Sequence, residues 1–554
     1  MCGINGLINY SQENLSELIQ KMNSSIAHRG PNAEGVYVNN EIGLGHVRLS
    51  ILDLNEHANQ PFKDENYVLI YNGEVYNYIE LREKYKFNCK TNSDTEVVFE
   101  GLKQFGARFI KELNGMFAFS FYDKKKNELL IARDRIGIKP LYYTNKDGKL
   151  AFSSELKGLK KVQKVLGGFS VNHDSINSFL YLGYIPKPLT IYNEVNKFPP
   201  GTYAIYKDGA FNLMSYWKLD EQIKSETLDD EASVKKELRR LVELSVELRL
   251  QSDVPFGTFL SGGIDSSLVS AVAQNIHSKK INTFSIGSEN VEYNESQFAK
   301  SIADNIKSDH HEFIVSDTDV KELVHDVVHH FDEPFADTSC LPTMMVAKLA
   351  KQHVTMTLSG DGGDEIFHGY GFYNWASRLS NPYIKASRKM IGKALEFGDN
   401  RMKRASSLFN YPKGQLKSHI FSQEEYMFSQ KEISKLLTVE TSGPDFIDLE
   451  STFKRDLSPK EAQSIFDLNY YLRDDLLNKV DISTMKYSLE TRVPLLDHRI
   501  IEFGVNVNEN LKIKNGQQKH ILKEVLYDYV PRELFDRPKK GFSIPLKDWL
   551  SSDL

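Results

Sequence analysis

The chain has 554 residues, 40% of them hydrophobic and 26% charged, which is ample material for more than one buried core and excludes a largely disordered chain. Lys and Arg number 69 against 75 Asp and Glu, and the resulting net charge of −6 argues against an extended nucleic-acid surface. Three cysteines, Cys2, Cys89 and Cys340, cannot build a disulfide framework or a four-cysteine zinc site. No apolar run reaches the roughly 18 residues of a membrane span, and Met1 is not followed by a secretory pattern, so a reducing cytoplasm without membrane contact is expected.

Roughly the first 200 residues read as strands and turns with few long helical patterns. Val68-Leu69-Ile70-Tyr71 runs into Asn72-Gly73, a pair that signals a turn. A helix is expected over 94–105, capped by Asp94, with Val97, Val98 and Leu102 on one face. The apolar runs 116–122 and 129–132, separated by Lys124-Lys125-Lys126-Asn127, read as a hairpin. A further hairpin pattern follows Pro199-Pro200-Gly201 and ends near Trp217, after which the polar, acidic stretch 218–231 suits a linker. Residues 234–250 have helical spacing, and from 255 to 358 strand-like and helical runs alternate, which predicts a parallel sheet covered by helices. Beyond 375 the pattern is mostly helical, and no motif places 375–460.

Loss of Met1 would leave Cys2 with a free α-amine beside its thiol. Such an amine has a pKa near ~8 and can take the thiol proton at neutral pH, so one residue supplies both nucleophile and base. On position alone an incidental cysteine is the commoner reading. The surroundings change that. His28-Arg29-Gly30-Pro31, Arg48-Leu49-Ser50-Ile51-Leu52, Tyr71-Asn72-Gly73-Glu74, Ser93-Asp94-Thr95-Glu96, Ala132-Arg133-Asp134-Arg135 and Lys139-Pro140-Leu141-Tyr142 occur in order. Together they resemble the class II glutamine amidotransferases with an N-terminal nucleophile (Ntn). The resemblance implies a four-layer αββα domain that hydrolyses glutamine to glutamate and ammonia. It implies a thioester on Cys2, an oxyanion hole from the Asn72 side chain and the Gly73 N–H, and a glutamine site formed by Arg48, Leu49, Ser50, Ile51, Leu52, Asn72, Gly73, Glu74 and Asp94. Within it Arg48 would hold the α-carboxylate, and Asp94, assisted by Glu74, the α-ammonium. Taken singly, Arg48 and Asp94 would read as a surface ion pair or a helix cap. One departure is Asn32, where the family usually has Asp.

Ser261-Gly262-Gly263-Ile264-Asp265-Ser266-Ser267 stands between a strand-like run ending at Leu260 and a helix-like one. Small residues at a strand–helix junction let backbone N–H groups close on phosphate oxygens. The spacing is not that of a Walker A loop, and a plain strand–helix connection would look alike. The string resembles the pyrophosphate loop of N-type ATP pyrophosphatases, and Ser359-Gly360-Asp361-Gly362-Gly363-Asp364-Glu365, after a second strand, supports it. Asp265 and Asp364 are candidate Mg²⁺ ligands, since that ion prefers carboxylates with phosphate oxygens.

Combined, the two halves resemble the glutamine-hydrolysing asparagine synthetases. The match covers 1–215 and 235–370 and resumes at 479–497 and 519–545. The expected organisation is an amidotransferase domain over 1–215 and a synthetase domain over 216–554, the latter a doubly wound parallel sheet with a helical end. The resemblance implies that Leu260, Ile286, Ser359 and Gly360 contact ATP with the 261–267 loop, that Asp361 serves formation of a β-aspartyl-AMP intermediate, and that Lys519 stabilises charge on the reacting phosphorus. It also implies glutamine, ATP and aspartate as substrates, and a homodimer. The acceptor pocket is expected near Asp332-Glu333-Pro334-Phe335-Ala336-Asp337-Thr338-Ser339, and His368, where the family more often has Gly, stands as a modifier of acceptor choice or a rim residue. Relatives on this scaffold amidate other carboxylates, such as sugar acids of surface polysaccharides or natural-product precursors. A non-catalytic scaffold would be favoured by loss of Cys2, Asn72 or Asp265, and all three are present. His325, His329 and His330 hint at zinc, but without supporting ligands they read as helix-surface histidines. The chain stops at Leu554, soon after Asp548-Trp549-Leu550, where relatives often continue with further helices.

Overall fold

Alternation along the amino-terminal strands sorts their side chains into three layers of core. In the computed structural model, which describes residues 2–10, 13–288, 296–448 and 452–535, two six-stranded antiparallel sheets stack face to face. The first runs, edge to edge, through Asn196–Lys197, Tyr142–Lys146, Lys149–Ser153, Gly3–Ile8, Ile42–Arg48 and Ala33–Val38. The second runs through Ala210–Ser215, Thr202–Lys207, Glu128–Arg133, Gly115–Asp123, Tyr67–Val75 and Phe62–Lys63. Ile4, Ile8 and Leu44 meet Val68, Ile70 and Ile131 between the sheets. The intervening Leu7 points outward to Leu15, Ile19 and Met22 of helix Leu15–Ser25, while Leu69 and Tyr71 point to Val97, Val98 and Leu102 of helix Asp94–Phe105. The expected αββα order results.

Three details differ from the sequence reading. Asn72-Gly73 is not a turn: the strand continues to Val75, with Asn72 opposite Ala118 and Gly73 opposite Phe117. Glycine is required there by close packing, since a Cβ on Gly73 would come within 2.2 Å of the Met116 carbonyl oxygen. Helices Leu15–Ser25 and His173–Leu182 were masked in sequence by polar, serine- and asparagine-rich composition. Helix Asp94–Phe105 has the expected bounds, but Ser93 caps it by accepting from the Thr95 N–H, which leaves the Asp94 carboxylate for another task.

The carboxyl-terminal half is built on a five-stranded parallel sheet in the order Asp309–Val315, Asn282–Ser288, Phe256–Phe259, Met356–Leu358, Glu490–Arg492. It feeds two cores: Met356 and Leu358 pack with Val272 and Ile521, whereas Phe284 packs with Val346 and Leu489. Helices therefore cover both faces, as alternation predicted. Residues 373–436 form short helices around Tyr373, Leu379, Phe409, Phe421 and Ile433, and Tyr181 and Tyr184 of the amino-terminal half join that core.

Buried charge fastens the halves. Arg29 Nη1 lies 2.8 Å from both Glu155 and Asp481, Lys139 Nζ lies 3.4 Å from Asp481, and Ser488 Oγ donates to the His28 carbonyl at 2.6 Å. Asp497 accepts from Arg249 (3.0 Å), Arg499 (2.8 Å) and Asn114 (3.0 Å). The His28-Arg29 and Thr491–Asp497 strings are thus struts between halves. The stretch 218–231 is also anchored, because Trp217 Nε1 donates to Glu502 (2.8 Å) and the Lys224 N–H to Asn506 (2.8 Å). No described helix is long and apolar enough to cross a membrane.

Candidate active sites

The start of strand Gly3–Ile8 brings Cys2 against the middle of Tyr67–Val75. The Cys2 nitrogen donates to Asn72 Oδ1 at 3.0 Å, and its sulfur lies 3.9 Å from the Leu49 carbonyl oxygen. Burial pushes the thiol pKa up, with nearby Arg48 opposing. Asn72 is fully buried, and its Nδ2 has no hydrogen-bond partner among the described residues. A buried amide N–H without an acceptor is costly unless a ligand supplies one.

A cavity beside Cys2 is lined by Arg48, Leu49, Ile51, Leu52, Gly73, Glu74 and Asp94, as expected, and also by Gln60, Tyr71, Ser93, Thr95 and Glu490. Asp94 accepts from the Tyr71 hydroxyl (2.7 Å) and the Val75 N–H (2.9 Å). Burial and the neighbouring Asp94 charge hold the Glu74 carboxyl well above the usual range, with Arg492 opposing. Arg48 is braced by donating to the carbonyls of Asn55 (3.0 Å) and Asp53 (2.5 Å) and to Asn59 Oδ1 (2.7 Å). Ser50 stays outside the cavity; its N–H donates to Asn32 Oδ1 at 3.0 Å, so the Asn32 departure keeps the acceptor that shapes the 48–52 loop. Gln60 was missed because its role is to clamp the Tyr71 backbone, donating to its carbonyl (3.2 Å) and accepting from its N–H (2.7 Å).

In the other half, the expected nucleotide residues gather at the carboxyl ends of the parallel strands. Leu260 follows Phe256–Phe259, its N–H bonded to the Phe284 carbonyl at 2.8 Å, and Ile286 lies on the adjoining strand. Gly262 turns the chain with φ +77°, and Ser266 Oγ joins Ser261 Oγ (3.0 Å) and the Ser261 N–H (3.2 Å), closing the loop before helix Ile264–Ile276. Ser359 Oγ donates to Asp361 at 2.6 Å. The two loops converge on Lys519: its Nζ lies 2.5 Å from Asp265 Oδ2 and 2.6 Å from Asp364 Oδ1. These carboxylates raise the Lys519 pKa against the lowering effect of burial. A Cβ on Gly369 would strike the Asp364 carboxylate at 1.8 Å and Lys519 Cε at 2.1 Å, so glycine there permits the contact.

The acceptor segment divides. Asp332 pairs with Lys157 and Glu333 with Lys197, both of the amino-terminal half, so these acids are interface struts. Asp337 and Ser339 instead meet Lys479, which donates to them at 2.9 and 2.8 Å. Lys479 had drawn no role from sequence. His368 is not at a rim: it is fully buried, edge-on to Tyr373 at 5.3 Å, and burial keeps it neutral. His325 and His329 are exposed, whereas His330 is largely covered, with Nε2 3.0 Å from the Ile482 carbonyl. The strings beyond 535 lie outside the described residues.

Comparison with known proteins agrees with this geometry. The asparagine synthase family model matches residues 237–554, and the glutamine amidotransferase domain model matches 1–217. Glutamine-hydrolyzing asparagine synthetase 1 of Bacillus subtilis (strain 168) is 34% identical, covering all of this chain and 88% of its own. Putative glutamine-hydrolyzing asparagine synthetase 2 of Methanocaldococcus jannaschii is 39% identical across 67% of this chain and 76% of its own. Asparagine synthetase B of Escherichia coli (strain K12) is 30% identical across 71% and 68%. The chain therefore belongs to the asparagine synthase family and carries a glutamine amidotransferase domain at its amino end.

Proposed function

We propose that this protein is a carbon–nitrogen ligase that makes asparagine from aspartate, with glutamine as nitrogen donor and ATP as the activating nucleotide. The observation that carries the reading is the joining of two differently built sites in one body: a thiol beside an unsatisfied buried amide, and a strand-end loop pair closed by a lysine. We divide the chain at 215/216, a boundary supported by the family models, which stop at 217 and start at 237.

In the first site the Cys2 nitrogen becomes the α-amine once Met1 is lost, with the Asn72 oxygen to orient it. It takes the thiol proton, sulfur attacks the glutamine amide carbon, and the developing oxyanion meets Asn72 Nδ2 and the Gly73 N–H, each donor contributing roughly 3 kcal/mol. Ammonia leaves a thioester, which water hydrolyses to glutamate. Arg48 holds the α-carboxylate and Asp94 with Glu74 the α-ammonium.

In the second site the 261–267 loop cradles the phosphates, and Leu260, Ile286, Ser359 and Gly360 contact the nucleotide. The aspartate β-carboxylate attacks the α-phosphorus and pyrophosphate leaves; ammonia then displaces AMP from the acyl-adenylate, giving asparagine. Asp361 serves formation of the adenylate, and Lys519 stabilises charge on the phosphorus. Asp265 and Asp364 already converge on one cation, the Lys519 ammonium, so the pair fits Mg²⁺ with phosphate oxygens completing its shell. That ion would neutralise phosphate charge. We place the enzyme in the cytoplasm and expect a homodimer.

The test is release of AMP and pyrophosphate from ATP with Mg²⁺ and glutamine, with and without aspartate, on Met1-processed protein. Aspartate-dependent release with equimolar asparagine is expected. Glutaminase activity without aspartate-dependent AMP would overturn aspartate as the acceptor.

A further inference from the structure

One wall of the glutamine cavity comes from the synthetase half: Glu490 lines it together with Cys2, Glu74 and Asp94. Its strand is fixed to the parallel sheet, where the Glu490 N–H donates to the Thr355 carbonyl (3.0 Å) and the Arg492 carbonyl accepts from the Ser359 N–H (2.9 Å). The Arg492 guanidinium is fully buried. Its Nε donates to Glu490 Oε1 at 2.6 Å, its Nη1 donates to the carbonyls of Arg249 (2.9 Å) and Gln251 (2.7 Å), and its Nη2 lies 3.1 Å from Glu74 Oε2. One guanidinium therefore clamps a carboxylate from each half at the same cavity.

The geometry of that cavity suits an ammonium: the carboxyl groups of Glu74, Asp94 and Glu490 all line it, and Glu74 and Glu490 share the Arg492 guanidinium. We propose that Glu490 is a glutamine-binding residue supplied by the synthetase half, receiving the α-ammonium together with Glu74 and Asp94, and that Arg492 is the positioning residue that holds Glu490 and Glu74 in place. The inference rests on the glutaminase reading of Cys2. It makes the glutamine site incomplete without the second half of the chain.

The experiment is a substrate comparison on the full, Met1-processed chain: hydrolysis of glutamine against glutaramate, which is glutamine without its amino group. Wild type is expected to favour glutamine. E490Q should reduce that preference in kcat/KM by roughly tenfold or more, chiefly through KM for glutamine, with E490D recovering part of it. A residue that only braces Arg492 would depress both substrates together, so an E490Q preference within about twofold of wild type overturns the proposal. Should E490Q fail to fold, the same ratio is read on E490D, and an unchanged preference there overturns it equally. No hydrolysis of either substrate by wild type would overturn the glutaminase reading instead, an outcome distinct from unchanged preference.

Discussion

The two sites solve the problem of gathered charge in opposite ways. At the glutamine site Cys2, at the head of a strand of one sheet, meets Asn72 in a strand of the facing sheet. The acids there are balanced across the boundary between halves by Arg492. At the nucleotide site the groups sit on loops at strand ends, and the acids are balanced by Lys519 from within the same half. In the first, Cys2 and Asn72 already touch, and loss of Met1 supplies the amine. In the second, a lysine's two ion pairs occupy the place proposed for phosphate and metal contacts. The difference teaches that positional precision is placed where a covalent bond forms on the protein, and adaptability where a large, highly charged substrate enters.

Breaking the first site cleanly is the largest expected effect. C2A should lower glutamine hydrolysis by about 10⁴-fold or more, while ammonium salts still support asparagine formation, as product assays with each nitrogen donor will show. D364N should do the reverse, lowering AMP formation by roughly 10²-fold or more with glutamine hydrolysis largely kept, because Lys519 loses one partner and the proposed Mg²⁺ site one carboxylate. N72A removes one oxyanion donor and one anchor of the Cys2 nitrogen, so the glutaminase kcat should fall about 10²–10³-fold.

Two further variants sharpen the contrast through stability. D481A removes the carboxylate that the buried Arg29 and Lys139 share between the halves and should cost about 3 kcal/mol in denaturant unfolding. The smallest effect is a pH signature. Burial, and then the Asp364 charge, push the Glu365 carboxyl up to about 7 from its ordinary 4.5. Between those values the folded chain keeps a proton the unfolded chain has lost, so this group's contribution favours folding at low pH and is lost as pH rises through about 7. E365Q, which cannot ionise, should flatten that decline: melting temperatures rise relative to wild type at pH above 7 and converge below pH 4.5.

Much of this was legible in the sequence because it was local. Runs with period two gave the sandwich strands, the alternation from 255 to 358 gave the parallel sheet, and ordered motifs gave most of the cavity around Cys2. What was illegible was mostly non-local. Asn72-Gly73 looks like a turn by composition, and only the partner strand at Met116 explains why glycine continues a strand there. The acids of 332–333 read as pocket residues until Lys157 and Lys197, far off in sequence, claim them. Glu490 has no motif linking it to glutamine; the packing of one half on the other puts it there. His368 shows the converse, since an unusual residue in a functional string is held in the core, behind Tyr373.

The central claim is that nitrogen freed at Cys2 is consumed at the Lys519 site. The most direct test follows glutamine labelled with heavy nitrogen in its side-chain amide, with ATP, Mg²⁺ and aspartate, in the presence of excess unlabelled ammonium. The account predicts that wild type makes asparagine carrying the label in its side-chain amide well above the fraction set by mixing with the pool, and that C2A makes only unlabelled asparagine. Asparagine labelled no more than the mixed pool, or label passing to a product whose formation ignores aspartate, would contradict it.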